Sequence, residues 1–186
     1  MNSWTFAVPI APRGAGRHRA AVIGGHARMY ADPATRKWEH QIAFAAGETL
    51  PAEPLDGPVK VEILALLPRP KRLLARSKKT GQLLHGEEGL MWAPVKPDRD
   101  NIDKAVLDGL RSIWRDDCQV CAGGVLKCYC EANGKPRVIV RVSVGFGVPA
   151  QLLDVAGHLQ DTQRSDANRT CYRLRASQRN LNLSGG

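Results

Sequence analysis

Hydrophobic positions along the chain follow two different periods, which together predict strands and helices in one domain. Alternating apolar residues over Val59–Leu67 predict a β-strand, and the run Trp4–Pro9 predicts a short strand near the N-terminus. Residues from Ala34 to Gly47 have helical spacing. The most regular helical pattern runs from Asp100 to Trp114, with Asp100 suited to the N-cap, and its apolar stripe consists of Ile102, Ala105, Val106, Gly109, Leu110 and Ile113.

The second half of the chain predicts a β-hairpin. Two β-rich runs, Gly124–Cys130 and Pro136–Val144, are joined by Asn133–Gly134, a dipeptide typical of tight hairpin turns. The glycine-rich segment Ala11–Ala27, in contrast, predicts a flexible basic loop.

The expected domain organisation follows from where this regular patterning stops. One domain is predicted over residues 1–147, interrupted by an irregular basic insertion at about 68–95. Residues 148–186 are predicted to form a C-terminal extension, because their last part is polar, rich in arginine and weakly patterned.

Charge and composition narrow the class of partner. Lys and Arg total 27 against 18 Asp and Glu, which gives a formal net charge of +9 and favours a polyanion such as nucleic acid as the partner.

No apolar run approaches the roughly 18 residues that cross a bilayer, and the N-terminus lacks the pattern of a secretory signal, so the expected location is the cytoplasm. The odd count of five cysteines argues against a closed disulfide framework.

Basic residues concentrate in two segments that could grip phosphates. The alternative interpretation of either cluster is a solvated loop, and the overall positive charge favours the DNA-binding interpretation. The candidate DNA contacts are Arg13, Arg17, Arg19, Arg69, Lys71, Arg72, Arg76, Lys78 and Lys79.

The segment from Lys96 to Leu110 contains the most specific candidate chemistry. Asp98 and Asp100 stand two residues apart just before the predicted helix, where an extended backbone would point both carboxylates to one side. Two like charges held that close need a proton or a cation between them, and Mg²⁺ binds oxygen ligands of this kind. A calcium-binding loop is excluded, because its sixth and twelfth positions would hold Asp103 and Gly109 instead of Gly and Glu.

Lys104 and the acidic pair after the helix each allow two interpretations. Lys104 lies one turn above Asp100, so it forms either a surface ion pair or a fixed cation aimed at a phosphate. Asp116–Asp117 either occupies an ordinary surface turn or folds back, so that one of the two joins Asp98 and Asp100.

Other cofactor classes have weak or no support. Cys118-x-x-Cys121 and Cys128-x-Cys130 could form a zinc site, but their spacing favours small buried hydrophobic residues. No glycine-rich phosphate loop lies between a strand and a helix, so a nucleotide cofactor is not expected.

These residues resemble the RusA family of Holliday junction resolvases. The similarity lies in the run Lys96-Pro97-Asp98-Arg99-Asp100-Asn101, in Lys104 four residues after the second aspartate, and in the later Asp116-Asp117 with Gln119 and Val120. It is strongest over about 59–144 and extends to the N-terminal strand, basic loop and first helix. The insertion at 68–95 and the extension after Gly147 depart from the family pattern.

The resemblance implies an α+β fold with a mixed β-sheet flanked by helices, assembled as a symmetric homodimer. By similarity Asp98, Asp100 and Asp117 are the catalytic, metal-binding carboxylates, Lys104 is the catalytic lysine, and Asp116 is the weaker candidate of its pair. Mg²⁺ is the implied cofactor, with Mn²⁺ able to substitute, and the implied substrate is a four-way DNA junction cut by paired nicks in recombination and repair. Two alternatives stay open: a non-catalytic module that binds branched DNA, and a nuclease acting on flaps or other branched DNA.

Overall fold

The computed structural model describes residues 1–16, 19–30 and 32–149, with the backbone alone for 19–23 and 27–30. The chain divides into two units, Met1–Phe146 and Gly147–Gly186. All but the first residues of the predicted C-terminal extension therefore lie outside the described part, and the account below concerns the first unit.

A mixed five-stranded sheet forms the framework of this unit. The strands lie in the order β1-β7-β4-β6-β5, with β4 and β6 parallel and the other neighbours antiparallel, while β2 and β3 form a separate hairpin. The α+β class and the mixed sheet are thus confirmed. In chain order the elements are β1 Asn2–Val8, β2 Arg19–Ile23, β3 His26–Tyr30, α1 Pro33–Gly47, β4 Val59–Leu67, β5 Met91–Trp92, α2 Arg99–Gly109, β6 Val120–Tyr129 and β7 Arg137–Val144, with short 3₁₀ turns at Lys71–Leu74 and Asp117–Gln119.

The main core lies between one face of the sheet and both helices. Alternate residues of β4 are buried in it, and Trp38 and Ile42 of α1 and Ile102 and Val106 of α2 share the same cluster. The helices approach closely at Gly109, where an added Cβ would lie 3.0 Å from the Glu39 carbonyl oxygen. This packing fixes the direction in which α2 presents its polar side.

The opposite face of the sheet carries a second, smaller apolar cluster. Leu66, Cys128 and Cys130 are buried there, with Leu64 and Ile139 packed beside them. Among the described residues, no helix covers this face, because the apolar sides of α1 and α2 both belong to the main core. Within the same part of the chain, no helix is long and apolar enough to cross a membrane.

The predicted hairpin between the last two strands is wrong. A turn does form at Asn133–Gly134, where the Gly134 amide donates to the Glu131 carbonyl, but β6 and β7 are not neighbours. Strand β4 lies between them and pairs with both. The reason is that β4, with seven apolar residues out of nine, takes the centre of the sheet, where one face is buried in the main core and the other is partly buried.

Two other predicted boundaries also change. Helix α2 ends at Gly109, five residues before Trp114, and Asp98 rather than Asp100 is its N-cap residue. The apolar stripe still marks burial, because Ile113 and Trp114 pack into the main core from the turn that follows. Within the predicted basic loop, Gly24 and Gly25 have φ values of 61° and 77° and join β2 to β3, so the Gly-Gly pair is a hairpin turn.

Candidate active site

A shallow depression of about 290 Å³ lies between α2 and the turn that precedes β6. It combines four acidic side chains with one lysine, and its remaining lining is apolar. The residues that line it are Asp100, Asp103, Lys104, Leu107, Asp108, Trp114, Asp117 and Val120. Positions far apart in the sequence therefore meet at one site.

Helix α2 contributes Asp100 and Lys104 to this depression. The helix forms because its apolar side packs against the core, and residues four apart then project from the same outer face. No ion pair within 4.0 Å joins Asp100 and Lys104, or involves either of them elsewhere in the described residues. The lysine is exposed, so its ammonium group is accessible to an anionic ligand.

The turn after α2 contributes Asp117 and holds it in place. The indole Nε1 of Trp114 donates to Asp117 Oδ1 over 3.0 Å, and Trp114 is itself only 3% exposed. A buried, rigid donor therefore fixes one carboxylate oxygen of Asp117, and the second oxygen has no hydrogen-bond partner within the described part of the chain.

The structure separates the two adjacent acids of this turn. Asp116 is the N-cap of the 3₁₀ turn, and its carboxylate accepts a hydrogen bond from the Cys118 amide over 2.9 Å. The bond from the Cys118 backbone and a further one from its side chain lower the pKa of Asp116. Asp116 therefore stabilises the turn, and Asp117 faces the depression.

Gln119 completes the support of the turn, a role that the sequence analysis did not assign. Its Oε1 accepts from the amides of Arg115 and Asp116 at 2.8 and 3.0 Å. Its Nε2 donates to the carbonyls of Leu55 and Gly57, each at 3.0 Å. All the polar atoms of one side chain thus fasten the turn to the segment before β4.

Asp103 is a member of the site that the sequence analysis missed. It lines the depression and is half-buried, and burial raises its pKa although Arg99 acts in the opposite direction. Its position three residues after Asp100, on the same helical face, was the available signal. That signal was ambiguous, because Asp103 also fits the polar border of an amphipathic helix.

Asp98 lies apart from the carboxylates that the depression brings together. It is exposed at the start of α2 and does not line the depression, and its side chain makes no capping hydrogen bond with the described residues. In the described residues, no group of three or more His, Cys, Asp or Glu side chains is arranged to hold a metal ion. Asp100 and Asp117 are therefore the two predicted ligands that share one site.

These two carboxylates fit the requirements of a magnesium ion. Mg²⁺ in proteins is commonly held by one or two carboxylates, with water and substrate phosphate completing its shell. Neither Asp100 nor Asp117 is neutralised by an ion pair in the described residues, so their oxygens are accessible donors.

The N-terminal loop packs against the start of α2. The Ala15 amide donates to the Asn101 carbonyl over 2.8 Å, and a Cβ on Gly14 would lie 3.0 Å from the Asn101 Cβ.

Arg13 of this loop pairs with Asp32. Removal from water opposes the ionisation of Asp32, but the bonds from Arg13 and Thr35 outweigh it and lower the pKa. Of the other predicted contacts, Arg17 and the side chain of Arg19 lie outside the described residues.

Arg69 is not available for the DNA contact that the sequence predicts. It is only 7% exposed, and its guanidinium donates to the carbonyls of Cys130, Glu87 and Gly89. It therefore holds the end of the insertion against the end of β6. Arg76 is also engaged, in a bidentate pair with Glu88, whereas the remaining cations of the cluster are exposed: Lys71, Arg72, Lys78 and Lys79.

The four cysteines among the described residues divide into two pairs of different character. Cys128 and Cys130 are buried in the second apolar cluster, as expected for small hydrophobic residues. Cys118 and Cys121 are exposed, so that interpretation is wrong for the first pair. The exposure of these two cysteines follows from their positions. Cys118 lies in the 3₁₀ turn, and Cys121 lies near the start of β6, before the buried part of this strand.

Comparison with known proteins agrees with the geometry. The family model described as "Endodeoxyribonuclease RusA" matches residues 9–143, which include every residue of the depression. The chain is also 35% identical over 144 residues to a protein of Bacillus subtilis (strain 168) named "Uncharacterized protein YqaN". That alignment covers 76% of this chain and 96% of the relative.

Proposed function

Since the chain belongs to the RusA family of endodeoxyribonucleases, we propose that it is a Mg²⁺-dependent endonuclease that resolves four-way DNA junctions by paired symmetric nicks. This activity would serve DNA recombination and repair. The observation that carries the proposal is the convergence of Asp100, Lys104 and Asp117 on one depression, in a chain of formal charge +9.

Asp100 and Asp117 would hold the metal ion, with Asp98 as the additional ligand. The bound ion supplies Lewis-acid activation of a phosphate oxygen and of a water nucleophile. Mn²⁺ has the same preference for oxygen ligands, which is why it can substitute.

The side chains around these carboxylates have separate tasks. The Lys104 ammonium offers a positive charge to a non-bridging phosphate oxygen, where negative charge grows in the transition state. Trp114 keeps Asp117 in one orientation through the indole hydrogen bond. Gln119 limits the movement of the whole turn, because four backbone groups bond to its amide.

The substrate and the assembly follow from charge and symmetry. The exposed cations at 71, 72, 78 and 79 would contact phosphates on the flanking arms without reading bases. A four-way junction has approximate two-fold symmetry, and paired nicks need two active sites. A symmetric homodimer of this chain meets both requirements.

The proposal is tested by measuring nicking of a labelled four-way junction under single-turnover conditions with Mg²⁺. Asp100→Asn is expected to reduce the rate by a factor of about 10² or more, because it removes an anionic ligand. Binding should persist or improve, because one negative charge near the phosphates is lost. Glu53→Gln is the matched control, since this exposed acid lies outside the depression, makes no ion pair among the described residues and should leave the rate unchanged.

The choice of substrate separates the alternatives. Faster cutting of a flap than of a junction would replace the substrate assignment, and would keep the endonuclease. Tight junction binding without cleavage by any divalent ion would favour the non-catalytic module. Normal cleavage by the Asp100→Asn variant would refute the site.

A further inference from the structure

Trp92 is an exposed aromatic residue that neither the fold nor the candidate active site explains. Its side chain is 70% exposed, whereas Trp38 and Trp114 are 5% and 3% exposed within the main core. A large apolar surface left in water is unfavourable by tens of calories per mole for each Å². An exposed tryptophan on a fixed backbone is therefore a candidate binding residue.

The backbone around Trp92 is held firmly on both sides. Strand β5 pairs with β6, with Met91 opposite Tyr129 and Trp92 opposite Cys128. The Ala93 amide donates to the Lys127 carbonyl over 3.2 Å, and Lys127 Nζ donates to the Val95 carbonyl over 2.5 Å. The indole is thus presented from a rigid edge of the sheet.

The pairing also determines the face on which the indole lies. Residues directly opposite each other in antiparallel strands point to the same side, and Cys128 belongs to the second apolar cluster. Trp92 therefore lies on the face away from α1 and α2. Leu126, two residues before Cys128 in β6, is its neighbour on this face and is 56% exposed.

Trp92 precedes the first residue of α2 by seven residues. Arg99, the first residue of α2, lines an open depression of about 610 Å³ together with Gly124 and Leu126 of β6. Cys128, opposite Trp92, lies two to four residues further along the same strand, which corresponds to about 7–13 Å. Along β6, the depression and the position opposite Trp92 are thus separated by about two to four stacked base pairs at the 3.4 Å spacing of duplex DNA.

The insertion in which Trp92 lies is positively charged overall. The insertion at 68–95 carries six cations (Arg69, Lys71, Arg72, Arg76, Lys78 and Lys79) against two acids (Glu87 and Glu88). Arg69 fixes the segment that leads into β5 by binding the carbonyls of Glu87 and Gly89. A segment that carries both an exposed aromatic ring and exposed cations has the residue types that bind nucleic acid through base stacking and phosphate contacts.

We propose that the indole of Trp92 stacks on a nucleobase exposed at the branch point of the DNA, and thereby favours branched over continuous duplex. Bases within a duplex have both faces covered by their neighbours, whereas a branch point or an unpaired end offers a free face. This inference rests on the proposed function, because it supplies that enzyme with a means of selecting its substrate.

The test is equilibrium binding to DNA with Ca²⁺ in place of Mg²⁺, which separates binding from cleavage. Base–aromatic stacking is worth about 5- to 100-fold in affinity, so Trp92→Leu should weaken binding to a four-way junction by a factor in that range. Leucine keeps apolar bulk and lacks the aromatic face, so it isolates stacking. Trp92→Phe should retain most of the affinity, and binding to linear duplex should change by less than about twofold.

Leu126→Ala is the matched control, because it shortens the exposed neighbour of Trp92 and should leave junction binding unchanged. A second readout uses 2-aminopurine placed next to the branch point. Its fluorescence should be quenched on binding of the wild-type protein, and Trp92→Leu should abolish the quenching while the melting temperature stays the same.

Each other outcome is decisive. Wild-type affinity and quenching in Trp92→Leu would overturn the stacking proposal and leave the nuclease proposal standing. A loss of oligomeric mass in Trp92→Leu without DNA would identify the residue as a contact between copies of the chain and would also overturn it. Quenching on a flap or overhang but not on a junction would support stacking and overturn the four-way junction as the substrate.

Discussion

The turn that carries Asp117 and the basic insertion use their polar side chains in opposite ways. In the turn, an indole, backbone amides and one glutamine amide position the carboxylates, and no ion pair with another described residue neutralises Asp117. In the insertion, two of the six cations are used by the fold itself. Arg69 binds three carbonyls and Arg76 binds Glu88.

The difference shows what each kind of site requires. A carboxylate that binds a metal ion is best oriented by neutral donors, because a nearby guanidinium would compete with the metal ion for the carboxylate oxygens. A cation that binds DNA must stay exposed and mobile, whereas the planar guanidinium of a buried arginine can satisfy several carbonyls at once. In this chain, the structural role falls to arginines and the exposed positions include both lysines of the Lys78–Lys79 pair.

The largest expected effect tests the comparison within the turn. Asp117→Asn should lower the single-turnover rate of DNA cleavage about 10³-fold, because it removes a charged oxygen ligand from the depression. Asp116→Asn should lower it less than about tenfold, because asparagine is an equally good N-cap residue. The two variants differ by one position and have the same chemistry, so each is the control for the other.

Equal losses in these two variants would contradict the division of roles between the adjacent acids. A larger loss in Asp116→Asn would reverse the assignment. A melting curve of each variant separates a damaged site from an unfolded turn.

The next effect concerns stability in the insertion. Arg69→Ala leaves three carbonyls without their donor, and the cost should be about 2–4 kcal/mol in the free energy of unfolding. Arg72→Ala, at an exposed position of the same segment, should change it by less than about 0.5 kcal/mol. Urea denaturation measures both. A stable Arg69→Ala protein with weakened DNA binding would show that the sequence-based DNA assignment was right and the structural one wrong.

A smaller effect concerns the exposed lysines. The double variant Lys78→Ala/Lys79→Ala should reduce the slope of log affinity against log salt by about 1.8, since each phosphate contact contributes about 0.9. Its stability should match that of the wild type. Arg76→Ala should reduce the slope less, because Glu88 already neutralises that guanidinium. An unchanged slope in the double variant would place the DNA elsewhere.

Local signals in the sequence predicted the elements well, and non-local choices were where they failed. The apolar stripe of α2 and the alternation of β4 depend on nearby residues, and both elements form close to where the pattern places them. The Asn133–Gly134 turn was also recognised. After this turn the chain crosses β4, so that β6 and β7 pair with opposite edges of that strand. This arrangement depends on which strand occupies the centre of the sheet, and no turn signal contains that information.

The candidate site shows the same division. Spacing placed Asp100 and Lys104 on one face, and the resemblance to a known family placed Asp117 near them. The sequence could not show that Arg69 would be buried, because an arginine facing solvent and one facing three carbonyls have the same local pattern. Asp103 was missed for a related reason: only the packing of the turn against α2 makes its position half-buried.

The smallest predicted effect compares Asp103 with Asp116 through the pH dependence of stability. Burial raises the pKa of Asp103 above its ordinary value of 3.8, so the folded state binds the proton more tightly and loses stability as the pH rises through this range. Asp103→Asn should therefore raise the melting temperature by about 1–2 °C at neutral pH and leave it unchanged at about pH 3. Asp116→Asn should have the opposite sign, because the bonds from Cys118 lower the pKa of Asp116 and its charge stabilises the fold above the unfolded value. Melting curves at both pH values test the two variants. If Asp116→Asn is stabilised and Asp103→Asn is destabilised at neutral pH, the assignment is reversed, and Asp103 is the acid whose charged form the fold stabilises.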